Sequence, residues 1–210
     1  MEPHFTYPIL SQKKELFHGT FLSAPEGRFI ASKQVHGTDL VILTSKDQPL
    51  PPCDALATHL ANYPLMVRHA DCQAALLYDP VNKVIAAIHA GWRGLVNGIY
   101  PKTIHALQKY YGSQPNDLLI AIAPSLGKEN SQFLHYKEEI PERFWSFQFK
   151  PFYFDLKAIA QAQLMQAGVL SENLYISEID TADPSTPCPS YRRDKTPLRM
   201  GSVIALGKAK

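Results

Sequence analysis

Short apolar runs, separated by turn residues, dominate the central part of the chain. Their length and composition predict β-strands rather than helices. Two runs flank Asp79–Lys83, whose Asp-Pro start is typical of a turn, and they predict a β-hairpin. A further pair of strands is predicted on either side of His36–Gly37. The predicted strands are Phe29–Val35, Leu40–Leu43, Leu65–Arg68, Ala74–Tyr78, Val84–Ile88, Leu118–Ala123, Leu174–Ile179 and Ser202–Leu206.

Two segments have apolar residues at helical spacing. The first, Arg93–Tyr111, ends at a glycine, and Pro101 within it predicts a kink or a delayed start. The second, Leu156–Ala167, follows Asp155, a residue type that commonly caps helix N-termini. Strands mixed with helices, without strict alternation, predict an α+β layered sandwich.

Composition limits the classes of protein to consider. The 210 residues suit one domain covering 1–210, and 45% hydrophobic with 19% charged residues indicates a globular protein. A net charge of +2 argues against a dedicated nucleic-acid binder. Because the sequence contains neither a signal-like start nor a membrane-length apolar run, we expect a cytoplasmic protein with no membrane partner and reduced cysteines.

Three side chains able to bind a metal stand at the ends of predicted strands. They are His36, Cys72 and His89, separated by 36 and 17 residues. Such long gaps make the spacing a weak indication, because the side chains could meet only through the fold. A buried, purely structural cysteine is the alternative interpretation of Cys72. His69, three residues before Cys72, is a possible additional ligand.

Two arginine-containing segments could bind an anion. In the first, His89–Gly94, glycines and the start of a predicted helix place backbone N–H groups beside Arg93. The second contains Arg192 and Arg193 in a proline-rich loop. These arginines could together clamp a phosphate. The alternatives are a tight turn with a surface Arg93 and a solvated basic loop.

Several short motifs, in this order, resemble the laccase-domain family typified by bacterial YfiH. They are QVHG at 34–37, CDALAT at 53–58, ADC at 70–72, HAGWRG at 89–94 and SYRRD at 190–194. The resemblance implies an α-β-β-α sandwich, related to the cysteine hydrolase domain of a bacterial toxin. It also implies that His36, Cys72 and His89 are metal ligands.

The same resemblance implies a purine nucleoside phosphorylase that uses Zn²⁺, with copper as the alternative metal. Its substrates would be phosphate and adenosine, inosine, guanosine or methylthioadenosine, with adenosine deamination as a side activity. Within that scheme we expect Arg93 to hold phosphate and Gln34, which shares a strand face with His36, to contact the purine. Asp54 or Asp71 could transfer protons.

Two other functions remain open. Two imidazoles and a thiolate also suit copper, so a polyphenol oxidoreductase is possible, although the remaining histidines are scattered singly. A protein that binds or edits cell-wall precursors is the third candidate. The segment 18–26 before QVHG is shorter than is usual in the family, which predicts a divergent member with an altered substrate range. The sequence does not indicate an oligomeric state.

Overall fold

Two β-sheets stacked on each other form the centre of the protein. The computed structural model describes residues 2–27 and 29–207. In side-by-side order, the larger sheet contains β10 (Leu174–Ile176), β7 (Leu119–Ile122), β5 (Gln73–Asp79), β6 (Val84–Ala90), β3 (Ala55–Thr58) and β2 (Leu40–Leu43). The smaller contains β1 (Leu16–Phe21), β11 (Met200–Leu206) and β4 (Leu65–His69). A separate two-stranded ribbon pairs β8 (Gln148–Lys150) with β9 (Tyr153–Phe154).

The two longer helices cover one face of the larger sheet. The helices are α1 (Pro8–Ser11), α2 (Trp92–Val96), α3 (Ile99–Tyr111), α4 (Tyr136–Glu139), α5 (Leu156–Gln166) and α6 (Tyr191–Asp194). Ile104 of α3 and Ile159 of α5 are buried in the same apolar core as Leu77 of β5. Within the described part of the chain, every helix is too short or too polar to cross a membrane.

A second core lies between the two sheets. Strand β5 serves both cores, because Leu77 points to the helices while Leu76 and Tyr78 point to the smaller sheet. The smaller sheet contributes Val67 and Ile204 to this core. On the outer face of the smaller sheet, Ala24, Phe29 and Ala31 pack against a third, smaller apolar cluster. The predicted layered α+β fold is therefore confirmed.

The hairpin and the second helix form as predicted. Strands β5 and β6 pair antiparallel, from Asp79 opposite Val84 to Gln73 opposite Ala90. The side chain of Asp155 caps α5 by accepting a hydrogen bond from the backbone N–H of Ala158. Both features depend on contacts between residues that are close in sequence.

The first predicted helix is two helices. Gly98 lies between α2 and α3 with φ 82°, a left-handed conformation that interrupts the helical backbone. Pro101 therefore falls in the first turn of α3, where a missing N–H leaves no hydrogen bond unmade. The prediction of one continuous helix over Arg93–Tyr111 was wrong for this reason.

The predicted strand pair around His36–Gly37 was also wrong. Strand β2 pairs in parallel with β3, with Leu40 opposite Ala55. Residues 29–35 form only an isolated bridge, between Ile30 and Leu65. His36 has φ 59°, and this left-handed backbone bends the chain away from a hairpin path.

Candidate metal centre and cavity

Three distant parts of the chain bring His36, Cys72 and His89 together. One possible ligand atom from each residue lies within 4.8 Å of those of the other two. His89 belongs to β6, and Cys72 immediately precedes β5 at the open end of the hairpin. The rings of His36 and His89 are nearly perpendicular, with centroids 4.9 Å apart. These are the three residues that the resemblance implied.

The carboxylate of Asp54 orients this group. Nδ1–H of His89 donates to Asp54 Oδ1 over 2.8 Å, which leaves Nε2 of His89 as the nitrogen available to Cys72 or to a metal. Asp54 also accepts hydrogen bonds from the backbone N–H groups of Val35, His36 and Gly37. Asp54 is only 1% exposed. One buried carboxylate therefore fixes both the tautomer of His89 and the loop that carries His36.

The charges of the group favour a thiolate and an imidazolium when no metal is bound. Burial alone would raise the pKa of Cys72, but hydrogen bonds from His36 and His89 lower it to about 7. Burial opposes protonation of His89, yet its bonds to Asp54 and Cys72 raise its pKa to about 9. A thiolate with two imidazoles is a donor set that suits Zn²⁺ and leaves a fourth position open.

The glycines of HAGWRG make room for the site itself. A Cβ on Gly91 would lie 2.6 Å from Cδ2 of His36, and one on Gly94 would lie 2.6 Å from the carbonyl oxygen of Gly37. Neither glycine has a positive φ, so space rather than backbone conformation requires them. We had expected these glycines to admit an anion; in the structure they admit the His36–Gly37 loop.

A cavity of about 970 Å³ opens in front of the three ligands. This volume is at the upper end for small-molecule sites. The lining includes the rings of Trp92 and Phe133, which meet edge to face at 5.5 Å. It also contains five cations: Lys33, Arg68, Arg192, Lys195 and Arg199.

Of the three predicted phosphate-binding arginines, the structure brings only Arg192 to the cavity. The guanidinium of Arg93 stacks on the ring of Trp92 at 4.1 Å, and Arg93 is not part of the cavity lining. Arg193 donates to the carbonyl oxygens of Thr181, Asp183 and Cys188 and to the carboxylate of Asp194. The guanidinium of Arg193 therefore holds the loop together and has a structural role. The cavity cations Lys33, Arg68, Lys195 and Arg199 were not predicted, because nothing local distinguishes them from surface residues.

Gln34 lines the cavity, but both ends of its amide contact the protein. Its Nε2 donates to the carbonyl oxygen of Arg68, and its Oε1 accepts from the N–H of the same residue. Asp71 also lines the cavity and accepts from the hydroxyl of Thr181 and from the N–H of Arg192. Both side chains therefore fasten loops around the cavity.

His69 lies beside the metal group but outside it. Its Nε2 lies 2.8 Å from the hydroxyl of Ser202, which in turn lies 2.6 Å from that of Thr20. His69 is 1% exposed. Within the described residues the metal-capable group consists of His36, Cys72 and His89.

Protonation of His69 is expected to destabilise the fold. Burial, with a smaller contribution from His89, lowers its pKa from 6.5 to about 3, so the folded protein keeps it neutral. Its contribution to stability is therefore present above pH 6.5 and is lost as the pH falls toward 3. We expect the urea midpoint to fall less steeply between about pH 7 and pH 4 in His69→Gln than in wild type. Equal slopes would contradict this assignment.

Comparison with known proteins places the chain in a family. The family model described as "Multi-copper polyphenol oxidoreductase laccase" matches residues 11–207. The chain belongs to this family. A purine nucleoside phosphorylase from Aquifex aeolicus (strain VF5) is 34% identical over 180 residues, covering 82% of this chain and 80% of the relative. The family resemblance inferred from the motifs is thus confirmed.

Other family members extend the comparison to structure. Purine nucleoside phosphorylase YlmD from Geobacillus stearothermophilus is 28% identical over 88% of this chain and 74% of its own. The crystal structure of YlmD from this organism superposes with a TM-score of 0.83 at 23% identity, covering 96% and 94% of the two chains, which establishes the shared fold. The Bacillus licheniformis hypothetical protein YfiH superposes with a TM-score of 0.76 at 26% identity, covering 85% and 74%.

Proposed function

We propose that the protein is a Zn²⁺-dependent purine nucleoside phosphorylase. Its substrates would be phosphate and adenosine, inosine, guanosine or methylthioadenosine. The observation that carries the proposal is that the His36, Cys72 and His89 group lines a cavity together with two aromatic rings and five cations. The relatives from Aquifex aeolicus and Geobacillus stearothermophilus are named purine nucleoside phosphorylases, which supports the same reaction class.

The aromatic and the cationic residues of the lining suit the two substrates. The rings of Trp92 and Phe133 offer an apolar surface for the purine. Arg192 is suited to phosphate, because its guanidinium is anchored to the carbonyl oxygens of Asn130 and Gln132 and has donors left over. Arg192 therefore replaces Arg93 as the proposed phosphate ligand.

In the reaction a phosphate oxygen attacks C1′ of the ribose, the C1′–N9 bond breaks, and the purine leaves with a proton. A bound Zn²⁺ would supply Lewis-acid stabilisation of developing negative charge. Arg192 holds the attacking phosphate in position, and Asp71 secures Arg192 through its backbone N–H. Asp54 positions His89 rather than moving a proton, since its oxygens already accept four hydrogen bonds.

Product analysis tests the proposal. Zinc-loaded protein incubated with adenosine should release adenine and ribose 1-phosphate only when phosphate is present. Cys72→Ala, which removes one ligand, should lower the rate by about 100-fold or more. Inosine formed without phosphate would report the accessory deaminase activity. Adenine at the level of the Cys72→Ala control would refute phosphorolysis.

A copper polyphenol oxidoreductase is the second candidate, because the same His₂Cys set also suits copper. A multicopper centre needs further ligand clusters, and residues 2–27 and 29–207 contain one such group. Elemental analysis alongside a phenol oxidation assay separates the two functions. Oxidation that persists in zinc-loaded, copper-free protein, or that is absent with copper, would exclude the copper enzyme.

A further inference from the structure

Two arginines at the cavity mouth lie close together at one end of the smaller sheet, Arg68 within β4 and Arg199 directly before β11. In the β4–β11 pair, Arg68 lies opposite Gly201, and Arg199 precedes Gly201 by two residues. A Cβ on Gly201 would lie 3.2 Å from Sδ of Met66, so Gly201 shares a face with Met66 and hence with Arg68. Arg199 lies diagonally across from Arg68, within reach of two long side chains. Both residues line the cavity.

A third cation joins them through Tyr191. Nζ of Lys195 lies 5.1 Å from the centroid of the Tyr191 ring, and the guanidinium carbon of Arg199 lies 5.7 Å from it. The exposed ring of Tyr191 therefore contacts two cations that line the same cavity as Arg68. We call Arg68, Lys195 and Arg199 the mouth cluster.

Among the described residues, no ion pair neutralises the mouth cluster, in which Nη1 of Arg199 donates to the carbonyl oxygens of Thr196 and Leu198. No carboxylate among residues 2–27 and 29–207 forms an ion pair with any of its members. Asp71 lies in the same cavity, but it is bonded to Thr181 and to the backbone of Arg192. Like charges gathered on one face destabilise a sheet unless an anion offsets them. The mouth cluster therefore has the charge of an anion-binding site.

One inorganic phosphate does not account for all these cations. Arg192 approaches the cavity from α6, where the carbonyl oxygens of Asn130 and Gln132 anchor it, and already offers a place for the attacking phosphate. The mouth cluster is built instead on β4 and on the segment between α6 and β11. The cavity, at about 970 Å³, has room for a second anionic group.

We propose that the mouth cluster binds a phosphate ester carried by the substrate, so that the site accepts nucleoside 5′-monophosphates. The inference rests on the proposed function for the purine's position and extends it to a phosphorylated substrate class. In phosphorolysis of such a substrate the C1′–N9 bond breaks, a C1′–O bond to inorganic phosphate forms, and the purine takes a proton. The 5′-phosphate ester stays intact and serves as a handle.

Calorimetric binding to the zinc-loaded protein tests this inference without requiring turnover. The probes are adenosine, adenosine 5′-monophosphate and inorganic phosphate alone. We expect the monophosphate to bind about tenfold or more tightly than adenosine, with an advantage that shrinks as salt is added. Arg68→Gln and Arg199→Gln should each reduce the monophosphate-to-adenosine affinity ratio several-fold, about threefold or more. Lys109→Gln is the control, since it removes one exposed positive charge outside the cavity lining.

The outcomes separate this inference from the proposed function. Equal affinity for adenosine and its monophosphate, or an affinity ratio that responds equally to Lys109→Gln, would overturn it even if adenosine is phosphorolysed. The same conclusion follows if Arg68→Gln weakens inorganic phosphate as much as it weakens the monophosphate, because the cluster would then hold the co-substrate. Preferential monophosphate binding without phosphorolysis would leave the inference standing and refute the proposed reaction. Arg68 has an exposed side chain, so its variant keeps the test valid if Arg199→Gln fails to fold.

Discussion

Asp54→Asn is expected to lower Zn²⁺ affinity by about 10–100-fold, the usual effect of losing a carboxylate that orients a ligating histidine. An asparagine cannot accept hydrogen bonds at both ends. Its NH₂ group would therefore face either the Nδ1–H of His89 or the backbone N–H of Gly37, each of which now donates to Asp54. A buried donor left without an acceptor destabilises a fold by about 1–3 kcal/mol.

Two measurements check this expectation: competition for zinc against a chelating dye, and urea unfolding of the metal-free protein. Asp155→Asn is the matched control. It makes the same change at a helix N-cap, where asparagine and aspartate are about equally good. Wild-type zinc affinity and stability in Asp54→Asn would show that Asp54 does not hold the site together.

Gly91→Ala should weaken metal binding by displacing His36. The added methyl group would lie 2.6 Å from the ring of His36 and 3.4 Å from Sγ of Cys72. His36 stands on an exposed loop, so we expect its ring to swing away while the folded core persists. Zinc affinity should then fall by at least the roughly 10–100-fold seen when a supporting residue is lost. The stability cost should be about 1–3 kcal/mol, as for other overpacked sites.

Gly37→Ala is the control for this substitution. Its Cβ would lie 3.5 Å from Oδ2 of Asp54 and 3.6 Å from a methyl group of Val35, which are ordinary contacts. Elemental analysis and zinc titration of both variants check the prediction. If Gly91→Ala binds zinc as tightly as Gly37→Ala does, the close approach of Gly91 to His36 is not what maintains the ligand geometry.

The His36, Cys72 and His89 group shows how much of the site the local sequence indicates. Motifs around His36, Cys72 and His89 name the three donors, and β6 with its hairpin partner was predicted correctly. Nothing within those motifs shows that the carboxylate of Asp54 joins two of them, because that contact spans 35 residues to His89. The sequence offered Asp54 only as a possible proton carrier, whereas its four hydrogen bonds make it a support.

The arginines show what local sequence context could not indicate. Arg93 follows a strand and lies between Gly91 and Gly94, a context that indicates an anion site, yet in the structure it stacks on Trp92 outside the cavity lining. Neither Arg68 nor Arg199 lies in a sequence context that indicates an anion site. They are brought together by the register of β4 against β11, which pairs residues about 130 positions apart.

The sequence by itself determined the family, the mixed α+β class, the β5–β6 hairpin and the capped helix α5. Each of these depends on residue order or on periodicities of two to four residues, which are visible locally. Only the tertiary structure decided the parallel pairing of β2 with β3, the space that Gly91 leaves for His36 and the cations that line the cavity. Those features follow from strand register and from side-chain packing between remote segments, and neither can be predicted from neighbouring residues.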